Sequence, residues 1–392
     1  MLMRSDPTTA VALWCLLLCF GRGLALTTVV GRRDVLAGVG ASALMPPLAT
    51  EASSLTTTTT TTTTKGKKEL SLGKLGIGAW AWGDTLFWGY DSKKDAELKE
   101  TFEYVNGRAG FIDTAEIYGF GRSETLIGDF AKQTPNFRTP IATKFAALPW
   151  RTSSADVVKA CEASLKRLDR DSVELLQIHF PNGWSNENYW DGLAECVDKG
   201  YAKAVGVSNY GVDAVRACAA ELERRGVELQ SNQIQYSLLY RYPEENGLLE
   251  ACRALDVDVL AYSPLGLGLL TNKFTRDNGR LPEGPRSTIV KTYLANDDFA
   301  FKLQSTLDTI AATHQATPAA VALNWCRAKG TIPIAGARTL SQAKQNLAAL
   351  DWDLSRAELN DLDTAVDDLP WLGIKPPFAE KDLFTGMKMF DS

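Results

Sequence analysis

The chain has 392 residues, of which 45% are hydrophobic, 9% aromatic and 23% charged, a balance that excludes a wholly disordered or fibrous protein. The net charge is −5; the first 65 positions carry five basic and three acidic residues, so the remainder stands at −7. An acidic body without a basic block excludes a general nucleic-acid or anionic-membrane binder, because phosphate contacts need clustered Lys and Arg. Any phosphate that binds must find a local pocket.

In chain order, the first features are addresses. Residues 11–20 form a short apolar run behind Arg4 and ahead of Gly21-Arg22-Gly23-Leu24-Ala25, the layout of a secretory signal peptide and too short for a membrane span. Gly31-Arg32-Arg33-Asp34 then precedes a second apolar run over 35–44, which resembles a twin-arginine signal. The Thr56 to Thr64 tract and Lys65-Gly66-Lys67-Lys68 form a solvated linker, since such a composition buries too little apolar surface to offset its ordering entropy. Residues 1–68 are therefore expected to be a disordered targeting presequence with a Thr-rich linker, and 69–392 the folded domain, with no stable membrane span in the mature protein. Tandem signals of this kind point to a plastid, with a thylakoid hint; a single secretory signal followed by a stalk is the alternative. Cys161, Cys196, Cys218, Cys252 and Cys326 are widely spaced without a C-x-x-C pair, which favours buried free thiols.

From Leu70 onward, β-rich apolar runs alternate with amphipathic helical stretches. Strands are expected at 74–79, 111–114, 141–144, 173–179, 204–207, 231–236, 257–262 and 331–334. Helices are expected near 93–106, 123–132, 154–168, 189–199, 212–225, 246–255, 299–328 and 341–350. In the third of these, Val157, Val158, Cys161, Ser164, Leu165 and Leu168 recur at helical spacing. Eight β-then-α units predict an α/β fold in which eight parallel strands close into a (β/α)8 TIM barrel, with insertions at 271–298 and in the tail from Asp351. No G-x-G-x-x-G follows a strand and opens a helix, and no metal-spaced Cys/His cluster occurs.

Functional side chains of such a barrel sit at the carboxyl ends of its strands. That rule selects Asp113 after Gly110-Phe111-Ile112, Lys144 after Ile141-Ala142-Thr143 and His179 after Leu176-Gln177-Ile178, with Tyr118 just beyond the first. Taken singly, each has an ordinary structural reading as a cap, a rim lysine or a satisfied polar group.

Together, and in order, the runs at 111–119, 142–145, 177–181, 206–210 and 260–266 resemble the aldo-keto reductase superfamily over essentially the whole body, and the stretches at 144–150 and 236–241 are similar to its plastid members in plants. The resemblance implies reduction of an aldehyde or ketone by hydride from NADPH. Tyr118 would be the general acid, Lys144 and Asp113 its tuning pair and His179 the group that orients the substrate oxygen. Physically, a carbonyl that accepts hydride develops negative charge on oxygen, and a cation beside a phenol favours phenolate.

For the cofactor, the resemblance assigns Ser208, Asn209 and Gln233 to the nicotinamide carboxamide and Tyr262 to ring stacking, and the place of Trp80 directly after the first strand puts it on the cofactor side. The loop Ser263-Pro264-Leu265-Gly266 would approach the pyrophosphate, with Lys273 and Arg286 in the insertion acting as part of a lid. Gly336 and Arg338, with Gln342 and Asn346 following at i+4 and i+8 from the arginine, would hold the adenosine 2′-phosphate and adenine. Many relatives carry lysine where Arg338 stands, which changes donor geometry but keeps charge. Trp80, Trp82, Trp88, Phe145, Trp150 and Trp184 flank the expected mouth, as pocket wall or as core, and suit an apolar or aromatic carbonyl compound. The competing reading from the same superfamily is a nucleotide-binding regulatory module resembling potassium-channel β-subunits; retention of all four catalytic residues leans toward an enzyme.

Overall fold

A computed structural model of the chain describes residues 70–182, 185–282, 286–367 and 369. The presequence and Trp184 lie outside the described residues. Eight parallel strands close in sequence order: β1 (Gly76–Gly78), β2 (Phe111–Asp113), β3 (Ile141–Phe145), β4 (Val173–Ile178), β5 (Ala202–Ser208), β6 (Leu229–Gln235), β7 (Asp258–Tyr262) and β8 (Ile332–Gly336), with β8 paired to β1. The fold is the (β/α)8 barrel that the alternation of elements predicts.

Twelve α-helices are described: α1 (Asp95–Val105), α2 (Arg122–Gln133), α3 (Ser154–Leu168), α4 (Asn186–Asp198), α5 (Val212–Arg224), α6 (Tyr242–Glu245), α7 (Leu248–Ala254), α8 (Arg286–Ala295), α9 (Gln304–Thr313), α10 (Pro318–Ala328), α11 (Leu340–Leu347) and α12 (Arg356–Asp367). Helix α3 matches its expected bounds because Ser153 and Asp156 close a capping box at its start, while Val157, Cys161, Leu165 and Leu168 bury the facing stripe. The single helix expected at 299–328 is instead three pieces: a π-helical turn Asp298–Leu303, α9 and α10. The chain breaks where Gln315 takes φ 50° and Thr317 caps a new helix with Pro318 in its first turn, which starts a helix but interrupts a running one.

Because successive side chains on a strand face opposite ways, residues two apart share the barrel interior. Phe111, Ala142, Leu175, Leu260 and Ile334 meet there with Leu72 as an apolar layer at the amino-terminal side. Gly76 makes room for it, since a Cβ at that position would lie 2.5 Å from the Phe111 ring. One step further along the same faces stand Asp113, Lys144, Gln177, Tyr262 and Gly336. Hydrophobic residues thus plug one end of the barrel, and the same alternation delivers polar groups to the other. Outside, helices and strands share an extended core from Leu75 and Trp82 to Leu347, and a second core gathers α8, α9, α10 and α12 around Phe299 and Trp325.

Candidate active site

At the carboxyl ends of the strands lies a cleft of about 1440 Å³. It is lined by Trp80, Asp113, Tyr118, His179, Ser208, Asn209, Gln233, Tyr262, Ser263, Pro264, Leu265, Gly266, Lys273, Arg286, Gly336, Arg338, Gln342 and Asn346. Of the residues singled out from the sequence as catalytic or cofactor-binding, Lys144 alone stands behind the cleft wall, its side chain fully buried.

Its position is nonetheless central. Lys144 Nζ donates to Asp113 Oδ2 at 2.7 Å, to the Thr114 carbonyl at 2.8 Å and to the Tyr118 hydroxyl at 3.2 Å. These three acceptors use the three donors of an ammonium. Burial pushes the Lys144 pKa down, and Asp113 pulls it back up. The Asp113 carboxylate is fixed from its other side, where Oδ1 accepts from Gln233 Nε2 at 2.8 Å and from Gln177 Nε2 at 3.5 Å. A cation held against a phenol hydroxyl by an oriented carboxylate stabilises phenolate, and so makes the hydroxyl a better proton donor.

Tyr118 reaches this point through a left-handed bend in which Gly119 and Phe120 both take φ 55°. Glycine is required at the first of them, because a Cβ there would lie 2.4 Å from the Gly83 carbonyl oxygen. The His179 ring meets the Tyr118 ring edge-on at 5.5 Å. Desolvation, and then the Lys144 charge, hold the His179 pKa well below 6.5, so the imidazole is neutral, and its buried Nδ1 has no partner among the described residues. A neutral imidazole donates from one ring nitrogen, which suits a carbonyl oxygen beside Tyr118.

The residues expected on the cofactor side are held in place by one another. Ser208 Oγ donates to the Gln233 carbonyl, Asn209 Nδ2 donates to the His179 carbonyl at 3.1 Å, and the Tyr262 hydroxyl donates to Asn209 Oδ1 at 3.0 Å. At the far end, Thr339 caps α11, Gln342 Oε1 accepts from the Arg338 backbone N–H at 2.8 Å, and Asn346 Nδ2 donates to the Gly336 carbonyl at 3.2 Å. Arg338 therefore stands just before the helix rather than inside its first turn. The insertion contributes Lys273, Arg280, Arg286 and Tyr293 to the wall.

The aromatic residues that the sequence leaves open between pocket wall and core divide in the structure, and Trp150 is neither. Trp82 is fully buried, with Nε1 donating to the Ala337 carbonyl at 2.7 Å, so it joins the end of β8 to the loop after β1 and is core. Phe145 is core as well, 1% exposed, under the Arg151 guanidinium. Trp150 is 62% exposed and is not part of the cleft wall. Trp80 and Trp88 do line the cleft, and Trp80 stacks on Phe87 at 5.1 Å and on Tyr118 at 6.1 Å. His314 is half-buried, stacked on Trp352 at 4.1 Å and bonded to Glu358. The five cysteines of the body are buried thiols, with no disulfide among the described residues. Gln177 was not singled out from the sequence; its signal is its place two residues before His179 on the same inward face.

The sequence pattern of the Aldo/keto reductase family matches residues 74–367. The chain belongs to the aldo/keto reductase family. Its similar relatives include the chloroplastic pyridoxal reductase of Arabidopsis thaliana, 39% identical over 320 residues that cover 77% of this chain and 85% of that protein. The aldo-keto reductase yakc [NADP(+)] of Schizosaccharomyces pombe is 29% identical over 70% of this chain and 84% of its own. Among solved structures, the glycerol dehydrogenase of Gluconobacter oxydans superposes with a TM-score of 0.65 at 26% identity, covering 77% of this chain and 94% of that one. This aldo-keto reductase is thus an oxidoreductase by family, and NADP(H), the cofactor expected from its sequence, is the one the family uses. Among the described residues, no helix is long and apolar enough to cross a membrane.

Proposed function

We propose that this aldo-keto reductase reduces an aromatic aldehyde of the pyridoxal class, or a similarly flat carbonyl compound, with NADPH in a plastid. The observation that carries the reading is the Lys144 ammonium, 2.7 Å from Asp113 and 3.2 Å from the Tyr118 hydroxyl, at the floor of an open cleft. The residues fit the cofactor: the cleft has a tyrosine ring beside paired amides at one end and two arginines at the other, where the buried Trp88 Nε1 and Arg286 Nε donors have no partner among the described residues. Bound there, NADPH supplies a hydride to the carbonyl carbon.

The chain's own residues manage the proton and the charge. Tyr118 gives its hydroxyl proton to the carbonyl oxygen, and Lys144 stabilises the phenolate that remains while Asp113 holds the lysine in place. His179, neutral at working pH, donates a hydrogen bond to the same oxygen and fixes its direction. Gln233 has a second duty besides the cofactor, since it anchors Asp113. Trp80 and Phe87, stacked nearly parallel, offer a flat wall to an aromatic ring. The substrate class is supported by that wall and by the similarity to a pyridoxal reductase, and the compartment by the chloroplastic name of the same relative. Residues 1–68 would then be the import presequence, and 69–392 the catalytic barrel.

Steady-state oxidation of NADPH by the purified chain with pyridoxal, set beside an aliphatic aldehyde of similar size, tests this reading. Turnover with a clear preference for the aromatic aldehyde is the expected result. Turnover of the aliphatic compound alone would remove the aromatic assignment, and tight NADPH binding without turnover of any carbonyl would move the protein to the regulatory class.

A further inference from the structure

One cluster in the cleft stands apart from the proton machinery. Trp88, in the loop after β1, has the Arg286 guanidinium carbon 4.5 Å from its ring centre and that of Arg338 at 5.8 Å. Arg338 also donates from Nη1 to the Trp88 carbonyl at 3.1 Å. The two cations arrive from the start of α8 and from the turn after β8, and this third segment brings them together. The loop is held in shape from within, because Asp84 accepts from the Phe87 N–H through its side chain and from the Tyr90 N–H through its carbonyl, both at 2.8 Å. Trp88 packs edge-on against Phe87 at 5.1 Å and Trp80 at 5.5 Å. Two buried donors in the cluster, Arg286 Nε and Trp88 Nε1, have no partner among the described residues.

Two like charges held together in a half-buried place repel, and an anion that meets both relieves the repulsion. A phosphate monoester carries up to two charges and three acceptor oxygens, whereas a ribose hydroxyl offers neither. We infer that Trp88 is a specificity-determining residue for the cofactor, whose ring keeps Arg286 and Arg338 close enough that only a dinucleotide with an added phosphate monoester satisfies them. This rests on the NADPH reading above and assigns part of its selectivity to an aromatic side chain that touches neither the reacting atoms nor the nicotinamide-side residues Tyr262 and Asn209. Without the ring, the arginines are free to turn toward water. Their repulsion then relaxes without a phosphate, so NADPH loses affinity and NADH does not.

The test is equilibrium titration of the purified chain with NADPH and with NADH, read by cofactor fluorescence, for the native protein, Trp88→Ala, Trp88→Phe, Arg286→Gln and the double variant W88A/R286Q. Native protein should prefer NADPH. Trp88→Ala should weaken NADPH roughly tenfold, the equivalent of one or two cation–π contacts, with NADH changed less than about threefold. Trp88→Phe keeps a face for the cations and should keep the preference. Arg286→Gln should lose selectivity like Trp88→Ala, and the double variant no more than the larger single loss, because the residues act as one unit. Equal weakening of both cofactors, an unchanged preference in Trp88→Ala, or additive losses would overturn the assignment. Arg286→Gln carries the test alone if Trp88→Ala does not fold, and an unchanged NADPH preference in it counts against the inference. Failure of the native protein to bind NADPH would instead defeat the proposed function itself.

Discussion

The floor of the cleft and its arginine-bearing rim are built on different terms. The floor is carried by strands: Asp113, Lys144, Gln177 and Gln233 each sit at a position fixed by barrel register, and their side chains are buried and bonded to one another. The rim is carried by loops and helix starts, where Trp88, Arg286 and Arg338 meet through ring faces and a single backbone carbonyl. In the proposed reading, a strand-built scaffold under the chemistry and loop-borne segments around the cofactor would separate proton transfer from ligand entry. The floor should therefore fail as a unit, and the rim by degrees.

Breaking the floor should give the largest effects. Lys144→Met leaves the Asp113 carboxylate buried without its cation, and should cost about 3–5 kcal/mol of stability, measured as the shift in denaturant midpoint. Adding Asp113→Asn to that variant should restore much of the loss; a double variant as unstable as the single one would show that the pair is not the source. Trp82→Ala removes a fully buried ring and its bond to Ala337, and should cost about 3–5 kcal/mol while leaving the Tyr118 geometry to the strands. A Trp82→Ala protein of native stability would place that side chain outside the core.

A smaller effect separates the two regions by pH. The folded pKa of His179 lies well below its ordinary 6.5, so the unfolded chain binds the proton more readily. Its contribution to stability is complete above about pH 6.5 and is lost as pH falls toward the folded value. Native protein should lose more thermal stability than His179→Gln on going from about pH 7 to pH 5, and equal losses would mean that the imidazole is not desolvated. The smallest effect belongs to the surface: Trp150→Ala, at a residue 62% exposed, should change stability by less than about 0.5 kcal/mol and leave turnover unaltered.

The same contrast explains what was legible in the sequence. Strand periodicity and the rule that barrel chemistry gathers at carboxyl ends select Asp113, Lys144 and His179, the ordered motifs of the family point to Tyr118, and the structure brings these four side chains together. The break at Gln315 was hidden because the apolar spacing continues across it, while a capping threonine and a proline, which are local signals, decide the helix start. Aromatic residues were the hardest to place. Trp80, Trp82 and Trp88 lie within nine positions, yet one lines the catalytic side, one is core and one bridges two arginines. The direction of each is set by loop geometry around Gly83 and Asp84, not by any period.

In the proposed reading, the Lys144–Tyr118 contact makes a proton donor for a carbonyl reduced in this cleft. Single-turnover oxidation of bound NADPH by pyridoxal, comparing the native chain with Tyr118→Phe at equal cofactor occupancy, tests it most directly. The account predicts that the variant binds NADPH as the native protein does and reacts about 10²–10⁴ times more slowly. A variant that binds the cofactor and reacts at the native rate would contradict it.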